Sequence, residues 1–337
     1  MPPLIHKAML NPEMKLREDI WEGVEIAPTR QGFGEGLVEA GEADDRIVAL
    51  SADLTESTKM DLFEKKFPER FIQVGVAEQN LVTVASGMAN YGKIPFVTSY
   101  AAFSPGRNWE QIRTTIALNN VKVVIVGSHA GLLTGPDGAT HQMLEDVALM
   151  RAMPNMIVLS PCDAEEARKA TLAAAKTETP VYIRVEREKM PRMTTKETPF
   201  VLGRANLMWD SEDPSVAIFA TGSLIHNALK AARELAESGI EVTVTNIHTI
   251  KPIDEEGIVR EAKRAGAAVS VEEHQINGGL GGAVAEVLAR ECPTPMEFVA
   301  VRDKFGQSGT AAELIEYYGL GVKSIKEAVR KALERKA

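Results

Sequence analysis

Cysteine is nearly missing from this chain. Its two cysteines, Cys162 and Cys292, stand alone among 337 residues and lack the close spacing of a metal site. That excludes a disulfide framework and leads us to expect a reducing, cytoplasmic location. A long hydrophobic run is missing as well, since no stretch stays apolar for the roughly 20 residues that a bilayer requires. The N-terminus, Met1-Pro2-Pro3-Leu4-Ile5-His6-Lys7, has no apolar signal-peptide core. No membrane partner is therefore expected. Basic excess is missing too: the formal net charge is −9, which speaks against nucleic acid as a partner and is ordinary for a soluble protein. Low-complexity segments and internal repeats are not found. What is present is a chain with 45% hydrophobic residues, long enough for two domains at about 100–200 residues each.

Strand and helix signals alternate along most of its length. Residues 1–23 have no clean period and read as an N-terminal arm of the kind that packs on a partner subunit. A helix is predicted over 32–40, then short apolar strands over 46–50, 71–74, 94–99, 121–126, 156–160 and 181–184. Helices over 80–89, 109–118, 143–151 and 164–176 separate them. The pattern stops between about 188 and 203, where Pro191 and Pro199 flank Met193-Thr194-Thr195, and this reads as a linker. It restarts with strands over 215–220, 241–247 and 268–271 and helices over 224–238, 254–265, 281–290 and 324–334. The fold class that follows is α/β, with two doubly wound domains, 24–187 and 204–337, each built on a mostly parallel sheet.

In such sheets the groups that meet ligands lie just past the strand ends. Three stretches qualify. In Val74-Gly75-Val76-Ala77-Glu78-Gln79-Asn80, a strand hands over to a helix at Glu78. A carboxyl group in front of an apolar helix is a candidate for desolvation and proton holding, although the helix dipole alone also favours glutamate there. Ser51-Ala52-Asp53-Leu54 ends another strand. The densest polar loop runs from Ser128-His129 to Gly135-Pro136-Asp137-Gly138-Ala139-Thr140-His141-Gln142. Two histidines and an aspartate in one glycine-rich loop read as a site, since structural loops rarely need them. The run Asn277-Gly278-Gly279-Leu280-Gly281-Gly282 lacks the Lys and Ser/Thr of a phosphate-binding P-loop, and close backbone packing is its better reading.

Gly75-Val76-Ala77-Glu78-Gln79-Asn80, Tyr100-Ala101-Ala102-Phe103 and Gly135–Gln142 together resemble the pyrimidine-binding domain of transketolase. Ile250-Lys251-Pro252-Ile253-Asp254 and Val271-Glu272-Glu273-His274 resemble its C-terminal domain. The Gly-Asp-Gly motif of the domain that grips the cofactor's diphosphate does not occur, so the chain looks like the C-terminal half of a split transketolase. The resemblance implies thiamine diphosphate as cofactor, with its diphosphate and Mg2+ held by an N-terminal partner subunit and no metal ligand here. It also implies two copies of each half about a two-fold axis. Glu78 then matches the glutamate that bonds the pyrimidine ring nitrogen. Tyr100 and Phe103 match the aromatics that pack on that ring, and Asp53 matches an aspartate beside it. Arg30, Ser57, His129 and Arg187 match the set that holds a sugar phosphate, with Arg184 competing for the last place. Asp137 and His141 match residues that bond sugar hydroxyls, and His141 is also a candidate proton carrier. Arg107 sits one residue further along than the family pattern places it and stays outside the set.

The activity so implied is transfer of a two-carbon ketol unit from a ketose phosphate to an aldose phosphate. The alternatives are half of a 1-deoxyxylulose-5-phosphate synthase, the beta subunit of a 2-oxo-acid dehydrogenase, or an inactive scaffold subunit. The His141-Gln142 loop and the phosphate set favour the first reading. An open apolar face around Met88, Tyr100 and Phe103 is expected to await the partner.

Overall fold

Short apolar runs that end in polar residues build two sheets in a computed structural model, which describes residues 8–336. The first sheet has seven strands in the order Thr249–Lys251, Ile157–Leu159, Val181–Arg184, Val124–Ser128, Ile94–Tyr100, Ile47–Ser51 and Phe71–Gln73. All neighbours run parallel except Thr249–Lys251, which lies antiparallel to Ile157–Leu159. Every residue of Ile47–Ser51, Val124–Ser128 and Val181–Arg184 is buried, so these strands are apolar almost throughout rather than alternating. The second sheet has six strands, in the order Met9–Leu10, Asn206–Asp210, Val242–Asn246, Val216–Ala220, Ala268–Gln275 and Met296–Val301. Its last four strands are parallel, and the first two form an antiparallel edge. The chain is thus α/β with two mostly parallel, doubly wound sheets.

Helix-to-helix contact in the first domain depends on missing side chains. The helix Thr29–Ala43 lies on Ala164–Ala174, and a Cβ at Gly32 would overlap the carbonyl oxygen of Ala164. The two halves also share a core. One buried cluster runs from Leu50, Val97 and Val158 of the first sheet to Phe219, Ile258 and Val284 of the second half. Strand Thr249–Lys251, second-half in sequence, closes an edge of the first sheet.

Several expectations are corrected. The described part of the arm packs on the chain's own second half. Met9–Leu10 adds to the second sheet opposite Asp210 and Trp209, Ile20 is buried, and Trp21 packs edge-on against Trp209 at 6.2 Å. Its first seven residues lie outside the described residues. The segment expected as a linker is fastened down: Met190–Pro191 pairs with Ile26–Ala27, and Asp163 accepts hydrogen bonds from the backbone of Met193 and Thr194 at 2.7 and 2.6 Å. The helix predicted over 109–118 widens into a π-helix at Ile112–Ala117, and the one predicted over 143–151 starts only at Asp146. Strands Asn206–Asp210 and Met296–Val301 and helices Asp61–Lys66 and Ala311–Tyr317 were not anticipated. No helix among the described residues is long and apolar enough to cross a membrane.

Candidate active site

Strands Ile47–Ser51 and Ile94–Tyr100 pair, but the chain leaves them towards opposite edges of the sheet. A crevice opens where such connections diverge. Glu78 is the first residue of the helix Glu78–Asn90 and is only 2% exposed. Asn108 fastens that helix start to the loop after Tyr100. Its Nδ2 donates to the Glu78 carbonyl at 2.8 Å and to Ser104 Oγ at 3.2 Å.

The surroundings of the Glu78 carboxylate differ from the apolar pocket expected. Arg107 Nη1 donates to Glu78 Oε2 at 2.6 Å, and the Arg107 guanidinium carbon lies 4.8 Å from the centre of the Phe103 ring. Arg107 was left out because its sequence offset did not fit. An arginine four residues beyond an aromatic, in one turn of chain, is the local signal that could have placed it over the ring. Among the described residues Arg107 is the only side chain hydrogen-bonded to that carboxylate, and it is itself half exposed.

From Phe103 an aromatic platform leads to the second charged group. Tyr100 and Phe103 lie 6.0 Å apart and nearly parallel, at 19°. The His129 ring stacks on Tyr100 at 3.8 Å, and His141 stands edge-on to both aromatics at 6.0 and 5.3 Å. His129 has φ 52°, a left-handed conformation uncommon outside glycine and often found at functional sites. It is fixed there by Ser128 Oγ, 2.9 Å from Nδ1, and by Thr134 Oγ1, which donates to its carbonyl at 2.6 Å. Burial first, and then the charges of Arg30 and Arg187, pull the His129 pKa down to about 3. The imidazole is therefore neutral at pH 7.

Arg30 Nη1 lies 3.4 Å from His129 Nε2 and also donates to the Ser57 carbonyl. Burial and the nearby charge of Arg187 lower the Arg30 pKa, and its Nε is buried with no hydrogen-bond partner. A buried unpaired donor costs free energy until an acceptor arrives, so the pocket is suited to an anion. Arg187 donates to the Thr134 carbonyl at 2.8 Å and to Asp137 Oδ1 at 3.3 Å. Arg184 is engaged elsewhere through Nε and Nη1. It is buried between Asp146 and Glu273, at 3.1 Å from each, which leaves Arg187 as the arginine beside the loop.

Some expected residues stand apart. The Ser57 hydroxyl donates to Leu54 O at 3.3 Å, so its backbone, not its hydroxyl, meets Arg30. Asp53 is exposed in a left-handed conformation, φ 62°, with its N–H on Gln73 Oε1 at 2.8 Å, and among the described residues no hydrogen bond ties it to the aromatic pair. Met88, Tyr100 and Phe103 are half-buried, and the strongly exposed apolar side chains flanking the Glu78 helix are Val76, 72%, and Tyr91, 92%. At the helix start within the glycine run, two amides are already taken. Leu280 and Gly281 N–H already donate to Glu272 at 2.7 and 2.8 Å.

Comparison with known proteins gives the chain its family. Residues 26–193 match the family described as the transketolase pyrimidine-binding domain, and residues 205–325 match the transketolase C-terminal domain. The chain belongs to the transketolase family. Within it, the chain corresponds to the C-terminal section. A protein of Methanocaldococcus jannaschii named as a transketolase C-terminal section is 43% identical over 314 residues, covering 91% of this chain and 96% of that one. The 6-deoxy-6-sulfo-D-fructose transketolase subunit of Clostridium sp. strain MSTE9 is 42% identical, covering 91% and 95%. A solved structure, "Split gene transketolase, inactive beta4 tetramer", superposes with a TM-score of 0.86 at 44% identity, covering 94% of this chain and all of that one.

The family implies thiamine diphosphate and a divalent metal ion. The pyrimidine end fits what this chain presents: a buried carboxylate with a single donor on it, beside a flat aromatic pair. For the metal, no group of three or more His, Cys, Asp or Glu among the described residues is placed to hold an ion.

Proposed function

We propose that this chain is the pyrimidine-side subunit of a two-chain transketolase, moving a two-carbon ketol unit from a ketose phosphate to an aldose phosphate. The observation that carries this reading is one aromatic platform with opposite chemistry at its two ends. The Glu78 carboxylate lies at the Phe103 end, and the neutral His129 with Arg30 lies at the Tyr100 end. Bound thiamine diphosphate would supply a nucleophilic carbon and an electron sink for breaking and remaking a carbon–carbon bond beside a carbonyl.

The chain's own residues do the rest. Glu78 binds the pyrimidine ring nitrogen and holds or gives up a proton at its carboxylate oxygens. Tyr100 and Phe103 present flat surface to the ring and keep water off one side. Arg30 and Arg187 take the sugar phosphate, with Arg30 Nε and His129 Nε2 as directed partners. Asp137 and His141 bond the sugar hydroxyls, and His141 Nδ1 is oriented by Thr140 Oγ1 at 2.9 Å. The diphosphate and its Mg2+ are assigned to an N-terminal subunit, which this subunit meets in a two-fold assembly.

The experiment is an assay of this chain combined with its N-terminal partner, thiamine diphosphate and Mg2+, over a panel of ketose and aldose phosphates. Ketol transfer between phosphorylated sugars is the expected result. Decarboxylation of a 2-oxo acid in its place would reject the reading.

A further inference from the structure

The loop that carries Asp137 and His141 belongs to the first domain but rests on the second. Near its start, Leu133 N–H donates to Glu273 Oε1 at 3.1 Å, and Glu273 is buried and also takes Arg184 Nη1 at 3.1 Å. At its end, the side chain of Gln142 is buried. Its Nε2 donates to Gly135 O at 3.0 Å, inside the loop, and to Gln307 O at 3.0 Å, in the second domain. The wall beyond closes tightly on this amide, whose Oε1 is buried without a hydrogen-bond partner. A Cβ at Gly306 would overlap Gln142 Oε1, and Ser308 Oγ stands where a Cβ on Gly138 would be, 2.6 Å away. Gly135 and Gly138 have φ of 72° and 76°, conformations with little preference of their own, so the contacts decide the loop's shape.

We infer that the C-terminal domain positions the substrate loop, and that Gln142 is the positioning residue through which it does so. One amide ties the loop to itself and to segment 305–309, and His141 is its immediate chain neighbour. Asp137 is held from the other side by Arg187. The bracing stands on geometry alone, whereas its consequence for sugar binding rests on the ketol-transfer reading. Displacing a binding group by an ångström is enough to cost up to about 100-fold. Sugar binding should therefore depend on Gln142, and cofactor binding should not.

Two variants test this. Gln142→Met keeps length and packing but removes both donor hydrogens, and Gly306→Ala pushes on the amide from the facing wall. Hydrogen exchange on the purified chain is read first. Amides of 131–142 should exchange about tenfold faster in both variants, as expected for losing one or two net hydrogen bonds, with strands Val124–Ser128 and Val216–Ala220 unchanged. In the assembled enzyme the KM for sugar phosphates should rise about tenfold, while affinity for thiamine diphosphate stays the same. Unchanged loop exchange in both variants would overturn the bracing, as would acceleration spread evenly over both sheets. Faster loop exchange with unchanged sugar KM would overturn the positioning role. A wild-type complex without ketol transfer would reject the functional reading separately, because the exchange data decide the bracing without any activity.

Discussion

The two domains share one architecture and spend their strand ends differently. In the first, the ends carry Glu78, Tyr100, His129 and Arg187, with acceptors or donors still open, such as Arg30 Nε. In the second, the corresponding crevice beyond Val216–Ala220 and Ala268–Gln275 is filled from the first domain. Ser223 Oγ donates to Glu186 at 3.0 Å, Thr221 Oγ1 donates to Ser160 O at 3.2 Å, and Arg184 reaches Glu273. Glu272, the other strand-end carboxylate, is used up on the helix start at Leu280. The same fold therefore gives a candidate site at one set of strand ends and a seam between domains at the other, and function follows the residues placed at the ends, not the sheet that carries them.

The sharpest way to break this comparison is Glu78→Gln. The amide keeps the size but cannot carry the proton, so ketol transfer in the assembled enzyme should fall roughly 100-fold or more. The melting temperature should hardly move. A variant turning over near the wild-type rate would remove Glu78 from the chemistry.

Next come Arg30→Ala and Arg187→Ala, each removing charge-assisted bonds to a phosphate. Each should weaken phosphorylated sugars by about 1.5–3 kcal/mol, or roughly 10- to 150-fold in KM, and spare sugars without phosphate. Equal losses on both kinds of sugar would show that the pair does not read the phosphate.

The smallest effect belongs to the seam. Burial pushes the Glu273 carboxyl up, against the pull of Arg184, and pushes Glu166 up to about 7. A carboxyl raised on folding is protonated in both states at acid pH, so its stability is complete there. As pH rises past the usual carboxylate range, the unfolded chain loses the proton first, and stability drains away until the folded group ionises. His129, His226 and His248, all lowered by burial, act in the opposite direction. The useful reading is hence the difference between wild type and Glu273→Gln in urea unfolding. The wild type should lose ground to the variant between pH 5 and 7, by about 1.4 kcal/mol per pH unit at most. A difference that is flat or opposite in sign would contradict the assignment of Glu273 as a proton-holding group.

The open site was largely legible in the sequence because its residues are set by local pattern. Glu78 and His129 announce themselves as polar residues where a short apolar run ends. The seam was not, because its bonds join residues far apart in the chain: Leu133 with Glu273, Gln142 with Gln307, Asn246 with Glu166. No local period encodes such pairs. The short strand in the arm was hidden for the same reason, as Met9–Leu10 becomes a strand only by pairing with Trp209 and Asp210. Met296–Val301 was hidden by Pro293 and Pro295 just ahead of it and by Glu297 within it. Arg107 was discarded on an offset, although a one-residue shift in a loop leaves its reach to Glu78 intact.

The central claim is that this chain holds one side of the cofactor site and works only with a partner holding the other. The direct measurement is ketol transfer from a ketose phosphate to an aldose phosphate, with thiamine diphosphate and Mg2+, as an N-terminal subunit is titrated into a fixed amount of this chain. No transfer without the partner, rising to a plateau at equal amounts of the two chains, is the predicted result. Sustained transfer by this chain alone would contradict it.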